Sequence, residues 1–207
     1  MTATAFKSTA FSVQQLENVR SASDFLEKCA GKPVADLELP IDVDSLVKSI
    51  AGVRFSNELD FENLTKSGFV KVERDDFGQV RSIHIWVNPT EPPVRQRFTL
   101  AHELGHLVYD VYPHIDDSNY DEVITDSIVT LNRDETSTYR ETRANRFAAQ
   151  LLMPAVLIKQ EIDRLREILK KEERKITTEQ LLELFSSKFD VSRDAMRYRL
   201  QNLGYLK

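Results

Sequence analysis

The chain is poor in cysteine and glycine, and it has no long hydrophobic run. Its 207 residues include one cysteine, Cys29, and six glycines. A single cysteine forms no disulfide within the chain and excludes a cysteine-rich zinc knuckle. No apolar stretch approaches membrane-spanning length, and the opening MTATAFKSTAF lacks the basic run and apolar block of a signal peptide. We therefore expect a protein of the reducing cytoplasm that does not act on a membrane, with Cys29 packed or idle rather than catalytic.

The charge is divided unevenly along the chain. The net charge is −5, which excludes a polycation built for nucleic acid. Residues 155–207 hold 12 Lys or Arg against 9 Asp or Glu, so the acidic excess lies before them. Much of it falls in residues 113–137, which are poorly patterned and predict a long loop. A solvated loop is the default interpretation, and a shield over a cleft or an attractor of a basic substrate is the alternative.

Hydrophobic periodicity predicts an α+β fold with a small sheet. A surface helix is predicted over residues 13–30, and a second, short helix begins after Asp42 or Asp44. GFVKVER and QVRSIHIWVN flank a turn at residues 75–78 and predict a hairpin. The second of these strands, which carries His84 and Trp86 on one face, is either an edge that pairs with an extended peptide or a face half covered by helices.

AHELGHLV, residues 101–108, carries the strongest chemical signal. It lies in a long helical stretch, residues 94–112, that is apolar on most sides and therefore predicts a buried central helix. Residues four apart share one helix face, so His102 and His106 can bind one zinc ion. Glu103 projects about 100° away, where a general base belongs rather than a third ligand. The alternative is two helix histidines satisfied by ordinary hydrogen bonds.

A third ligand has to come from elsewhere in the chain. Asp110 lies two helical turns from His102, so it is better placed to orient His106. Glu141 is the stronger choice, because the small Ala144 and Ala148 on its helix would let that helix press against Gly105. A glycine inside a helix costs about 1 kcal/mol relative to alanine, which favours such a close approach. A solvated helix glutamate is the alternative for Glu141.

Two segments together resemble the ImmA/IrrE-type metallopeptidases. They are RQRFTLAHELGH at 95–106 and ETRANRFAAQLLMP at 141–154, and VNP at 87–89 also matches the family's usual lead-in. The resemblance covers residues 40–155 and implies a zincin-like fold with one zinc ion per chain. It also implies a protein substrate, a helix-turn-helix transcriptional repressor of the kind found in bacteria and mobile genetic elements. The implied ligands and catalytic base are those named above: His102, His106 and Glu141, with Glu103 as base.

Several neighbours of the implied site remain candidates for secondary roles. Two departures from the family pattern stand out: Asp110 where the family often has histidine, and Arg143 where it often has glutamate. Asp110 and Asn145 are candidates to orient the metal-ligating side chains through hydrogen bonds. The candidates to donate a hydrogen bond to an oxyanion are Tyr109, Tyr112 and Tyr139, although packing or solvent contact is the default for each.

The carboxyl-terminal region predicts a helical appendage. We place a metallopeptidase domain at residues 1–155 and a helix-turn-helix-like region at residues 156–207. The last helix carries Arg193, Arg197 and Arg199, a pattern that would suit contacts to DNA. Asp190 and Asp194 interrupt that charge, so direct DNA binding is the weaker interpretation. The alternative function is a regulatory protein that binds DNA or a repressor through this region, with a structural or vestigial metal site.

Overall fold

The structure, a computed structural model, describes residues 11–117, 124–127 and 135–207. It is an α+β fold in which a small sheet and a set of helices enclose a buried central helix. The strands are β1 (Phe11–Ser12), β2 (Ile50–Ala51), β3 (Val53–Ser56), β4 (Lys66–Arg74), β5 (Val80–Val87) and β6 (Ile124–Ser127). The helices are α1 (Ala22–Ala30), α2 (Val43–Lys48), α3 (Pro93–His106), α4 (Glu135–Leu152), α5 (Ala155–Lys171), α6 (Thr178–Phe189) and α7 (Arg193–Asn202).

The main sheet has the strand order β3-β5-β4-β6. The predicted hairpin is confirmed: β4 and β5 pair antiparallel, with Val70 opposite Ile85. Of the two alternatives for the strand of His84 and Trp86, the edge is excluded, because β3 pairs with β5 in parallel on its other side. Because a parallel partner is not joined to β5 by a tight turn, no local sequence pattern could reveal this pairing.

The predicted loop over residues 113–137 is corrected where the structure describes it. β6 pairs antiparallel with β4, placing Thr125 opposite Phe69. α4 begins at Glu135, inside the range assigned to the loop. Residues 118–123 and 128–134 of that prediction lie outside the described residues.

Capping residues decide where the first helices begin. The helix predicted over 13–30 is interrupted: a 3-10 helix covers Val13–Asn18, and α1 starts only after Ser21. Ser21 Oγ accepts a hydrogen bond from the Asp24 amide, which satisfies one free donor at the start of α1. Of the two predicted caps for α2, the structure selects Asp42, whose Oδ1 accepts from the Ser45 amide at 2.9 Å.

α3 lies at the centre of the fold, as the apolar residues on most of its sides predicted. It packs against β4 and β5 and against α4, and residues 99–106 are all buried. The helix does not continue to residue 112 in α form, because Leu107–Val111 form a π-helical turn. Single π-helical turns are often found at functional sites.

The carboxyl-terminal region is helical, as predicted. Thr177 and Gln180 form the predicted capping box at the start of α6, and Ser192 caps α7. Polar contacts join this region to the preceding part of the chain: Arg97 Nε donates to the Asp190 carbonyl at 3.1 Å. The boundary between residues 155 and 156 stays a prediction.

Candidate metal centre

Three side chains from two helices converge on one point. The Nε2 atoms of His102 and His106 are 2.9 Å apart. Glu141, on α4, places Oε2 3.3 Å from His102 Nε2 and Oε1 3.4 Å from His106 Nε2. Both imidazoles are buried, whereas the Glu141 side chain keeps 15 % of its surface exposed. The structure thus brings together the three residues that the sequence nominated as ligands.

Each imidazole is fixed through its other nitrogen. His102 Nδ1 lies 3.0 Å from Asn145 Oδ1, and His106 Nδ1 lies 2.8 Å from Asp110 Oδ2. Both oxygens are acceptors, so each Nδ1 carries the hydrogen and donates it. When a metal ion replaces any proton on Nε2, each Nε2 would present its lone pair to the point shared with Glu141, which is the arrangement that a metal ligand requires.

The chemistry of this donor set fits a zinc ion. Two imidazole nitrogens and a carboxylate oxygen form one of the ligand sets found in catalytic zinc sites. The ligand atoms of His102, His106 and Glu141 all lie within 4.8 Å of one another, so one ion can contact all three. The open side at the partly exposed Glu141 leaves a direction from which a further group can approach.

The ionisation of the site shows how strongly the ligands interact. Burial lowers the pKa of His106, but hydrogen bonds to Asp110 and Glu141 outweigh it and raise the pKa to about 9. Burial likewise opposes ionisation of Glu141, yet hydrogen bonds from His102 and His106 hold its pKa far below the usual range. The protonated His106 ring already balances the carboxylates when no metal is bound, and a metal ion would take over that role.

Glu103 lies beside the centre, fully buried on α3. The helix passes under β4 at Gly68, where an added Cβ would stand 3.0 Å from Glu103 Oε1 and 2.6 Å from Thr99 Cγ2. Gly68 therefore leaves the room that the Glu103 carboxylate occupies. Gly68 was not among the predicted site residues, although a glycine inside a strand is a known sign of a close approach.

Close contact between α3 and α4 brings Glu141 to the histidines. An added Cβ on Gly105 would lie 3.0 Å from Ala144 Cα and 3.2 Å from Phe147 Cβ. The approach to Gly105 was anticipated through Ala144, which is one of these neighbours. The second small residue named for that face, Ala148, is buried, but Phe147 makes the other close contact.

The two departures from the family pattern contact each other. The Arg143 guanidinium forms a short ion pair with Asp110 Oδ1, while Asp110 Oδ2 accepts from His106. Burial opposes ionisation of Asp110, but His106 and Arg143 hold its pKa below the usual range. Arg143 also donates to the Tyr109 carbonyl at 3.1 Å, so the guanidinium fixes the carboxylate that orients His106.

The three tyrosines proposed as oxyanion donors have different surroundings. The hydroxyl of Tyr109 donates to the Arg20 carbonyl at 3.3 Å, and that of Tyr112 donates to the Gln14 carbonyl at 3.1 Å. Tyr139 is 66 % exposed, and its ring centroid lies 5.5 Å from the Arg143 guanidinium. Of these three tyrosines, Tyr139 is therefore the largely exposed one, and it lies two residues before Glu141 on α4.

The arginines of α7 are engaged within the protein. Arg193 and Arg197 each form an ion pair with Glu179, at 2.8 Å and 3.0 Å. Arg199 Nε donates to the Met153 carbonyl at 2.9 Å, and its side chain is partly buried. These contacts join α7 to α6 and to the end of α4, which disfavours a DNA-contacting role for this helix.

Comparison with known proteins places the chain in a family. No helix in the described ranges has both the length and the apolar character of a membrane span. No curated protein matches the chain. The family profile described as the IrrE N-terminal-like domain, of the M78 peptidases, matches residues 58–201. The match includes α3 and α4 and therefore the whole candidate metal centre. The chain thus belongs to the ImmA/IrrE family of M78 peptidases, as the two motifs predicted, and this membership supports a metallopeptidase-type function.

Proposed function

We propose that the protein is a zinc-dependent endopeptidase that hydrolyses a peptide bond in a partner protein. The observation that carries this proposal is the convergence of His102, His106 and Glu141 next to the buried carboxylate of Glu103. A purely structural metal site would need no buried carboxylate beside its ligands, whereas hydrolysis needs a general base there.

The residues around the centre divide the work of the reaction. A bound zinc ion would polarise the substrate carbonyl and lower the pKa of a water molecule to about 7. Glu103 would accept the proton of the attacking water and deliver it to the leaving amine, so that one carboxylate acts first as base and then as acid. Asn145 and Asp110 hold the two imidazoles in the required tautomer.

We propose a helix-turn-helix transcriptional repressor as the substrate. The support is the ImmA/IrrE family membership together with the acidic character of the chain, which carries a net charge of −5. DNA-binding proteins are basic, and a negative protein surface attracts such a partner over long range. Binding of DNA by this chain itself has less support, because the α7 arginines pair with Glu179.

The test first identifies any helix-turn-helix repressor encoded next to this chain's gene and uses it as substrate. The zinc-loaded protein is incubated with that repressor, and cleavage is followed by mass spectrometry of the fragments. We expect Glu103→Gln to retain zinc and to lose cleavage, while the exposed Glu167→Gln, which removes the same charge on α5, cleaves like wild type. Cleavage of the repressor by Glu103→Gln at the native rate would refute the proposed role of that carboxylate.

A further inference from the structure

A second concave site lies on the face of the sheet that points away from α3. Ile83 and Ile85 of β5 belong to the main core, and the alternating residues His84 and Trp86 face the other side. Residues 57–65, which connect β3 and β4, cover part of that face: Trp86 Nε1 donates to the Glu58 carbonyl at 2.9 Å. Between this segment and the strands is a cleft of about 720 Å³.

An aromatic cluster lies beneath the cleft: His84 and Trp86 reach its lining, and Phe69 contacts both of them from outside the lining. The rings of Phe69 and Trp86 are stacked with centroids 5.5 Å apart, and His84 meets Phe69 edge-on at 5.4 Å. Ser56 Oγ lies 2.7 Å from His84 Nε2 and holds that ring in place. Phe69 and Trp86 are buried, yet they stand apart from the main core cluster of the described residues. The cluster therefore forms a small apolar platform of its own.

The rim of the cleft combines exposed apolar side chains with carboxylates. Leu59 is 53 % exposed and Phe61 is 78 % exposed, which leaves two large apolar side chains in solvent at the same place. The cleft is also lined by three carboxylates of the same segment, Glu58, Asp60 and Glu62. The cation of the lining, Arg54, already donates to Glu73 Oε1 at 2.8 Å. The cleft therefore carries an excess of negative charge beside exposed apolar side chains.

We propose that this cleft binds an arginine-bearing, basic segment of a partner protein. Guanidinium groups stack on exposed aromatic rings such as that of Phe61, where cation–π attraction contributes about 0.5–1 kcal/mol. They also form charge-assisted hydrogen bonds to carboxylates, which Glu58 and Glu62 offer at the rim. The aliphatic stems of such side chains would cover Leu59 and Phe61.

Charge selects this occupant over the alternatives. Nucleic acid is disfavoured, because its phosphates would face the carboxylates of the rim. A second copy of this chain is disfavoured as well, because Arg193 and Arg197 of its most basic region pair with Glu179. The site shares none of its lining residues with the metal centre, so the proposal goes beyond the proposed hydrolysis and stands without it.

The chain's single tryptophan provides the measurement. Full-length Glu103→Gln protein, chosen so that no probe is cleaved, is titrated with a hexa-arginine peptide and with a hexa-glutamate peptide. The emission of Trp86 is followed, and calorimetry gives an independent binding isotherm. We expect saturable binding of the arginine peptide alone. Adding Glu58→Gln and Glu62→Gln should weaken binding about tenfold, and Phe61→Ala should weaken it several-fold through loss of the apolar contact.

A matched pair of substitutions separates this site from general attraction. Glu167→Gln with Glu172→Gln removes two exposed carboxylates of the same kind at α5 and its carboxyl-terminal cap. This control should bind hexa-arginine with unchanged affinity. Equal weakening in the control pair, or absence of saturable binding by both readouts, would overturn the proposal. Circular dichroism confirms that each variant is folded, and apart from Glu103 of the shared background the substituted side chains lie at the surface.

Discussion

The close contact between α3 and α4 at Gly105 allows the substitution Gly105→Ala to be analysed quantitatively. The new Cβ would lie 3.0 Å from Ala144 Cα, whereas carbon atoms pack at about 3.5–4.0 Å, so the helices must separate by about 0.5 Å. Overpacking costs about 1–3 kcal/mol, and alanine returns about 1 kcal/mol of helix propensity. We expect a net loss of up to about 2 kcal/mol in the free energy of unfolding.

The effect on the metal centre should be larger than the effect on stability. Glu141 is on α4 and both histidines are on α3, so the separation moves the carboxylate away from Nε2 of each ring. Metal–ligand distances tolerate only about 0.2 Å, so we expect zinc affinity to fall about tenfold or more. Chelator competition measures that affinity, and thermal unfolding of the metal-free protein measures the stability.

Gly31→Ala supplies a control that adds the same methyl group. Gly31 has a φ of +64°, where alanine costs about 1–2 kcal/mol, and no atom lies within 4 Å of the new Cβ. This variant should lose stability and keep wild-type zinc affinity. Wild-type zinc affinity in Gly105→Ala would refute the idea that this helix contact positions Glu141.

Three further outcomes concern buried groups in the site and in the core. Gly68→Ala should retain zinc but lose most of its peptidase activity, because the new Cβ would crowd Thr99 and Glu103; full activity at normal zinc content would count against the placement of that carboxylate. Because the pKa of His106 is raised to about 9, its ring is protonated at pH 7 in the metal-free protein and has to release that proton to bind zinc. Apparent zinc affinity, measured by chelator competition, should therefore rise about tenfold per pH unit from pH 6.5 and level off above pH 9. The stability that protonated His106 gives the metal-free protein is present below pH 6.5 and disappears as the pH rises to 9. An affinity that does not change with pH would contradict this. Burial raises the pKa of the Cys29 thiol to about 12, so Ellman's reagent at pH 8 should modify Cys29 only after unfolding, and prompt modification of the folded protein would argue against its burial.

Local spacing was sufficient to nominate the metal centre. Two histidines four apart on an apolar helix share one face whatever the rest of the fold does, so His102 and His106 could be paired from sequence. Glu141 required an additional clue, the glycine of one helix facing the small residues of another. The structure brings these three side chains together, and their role in binding zinc stays a prediction.

Features that depend on distant pairing could not be predicted in the same way. Neither β3 and its partner β5 nor β4 and its partner β6 are joined directly by a turn, because other strands or helices lie between them in the chain. The contact of Arg143 with Asp110 joins residues 33 positions apart on two helices, so each looked like an isolated departure from the family. Such contacts are set by helix packing and strand register, which a local pattern does not contain.

The most direct test of the central claim is the metal content of the purified protein, measured by mass spectrometry after equilibration with trace zinc. The three-ligand centre predicts one zinc ion per chain in the wild type and in Glu103→Gln. It predicts near-complete loss in Glu141→Ala and His106→Ala, and full occupancy in the surface control Glu167→Gln. A wild type that takes up no zinc, or a Glu141→Ala variant that keeps full occupancy, would contradict the proposed three-ligand centre.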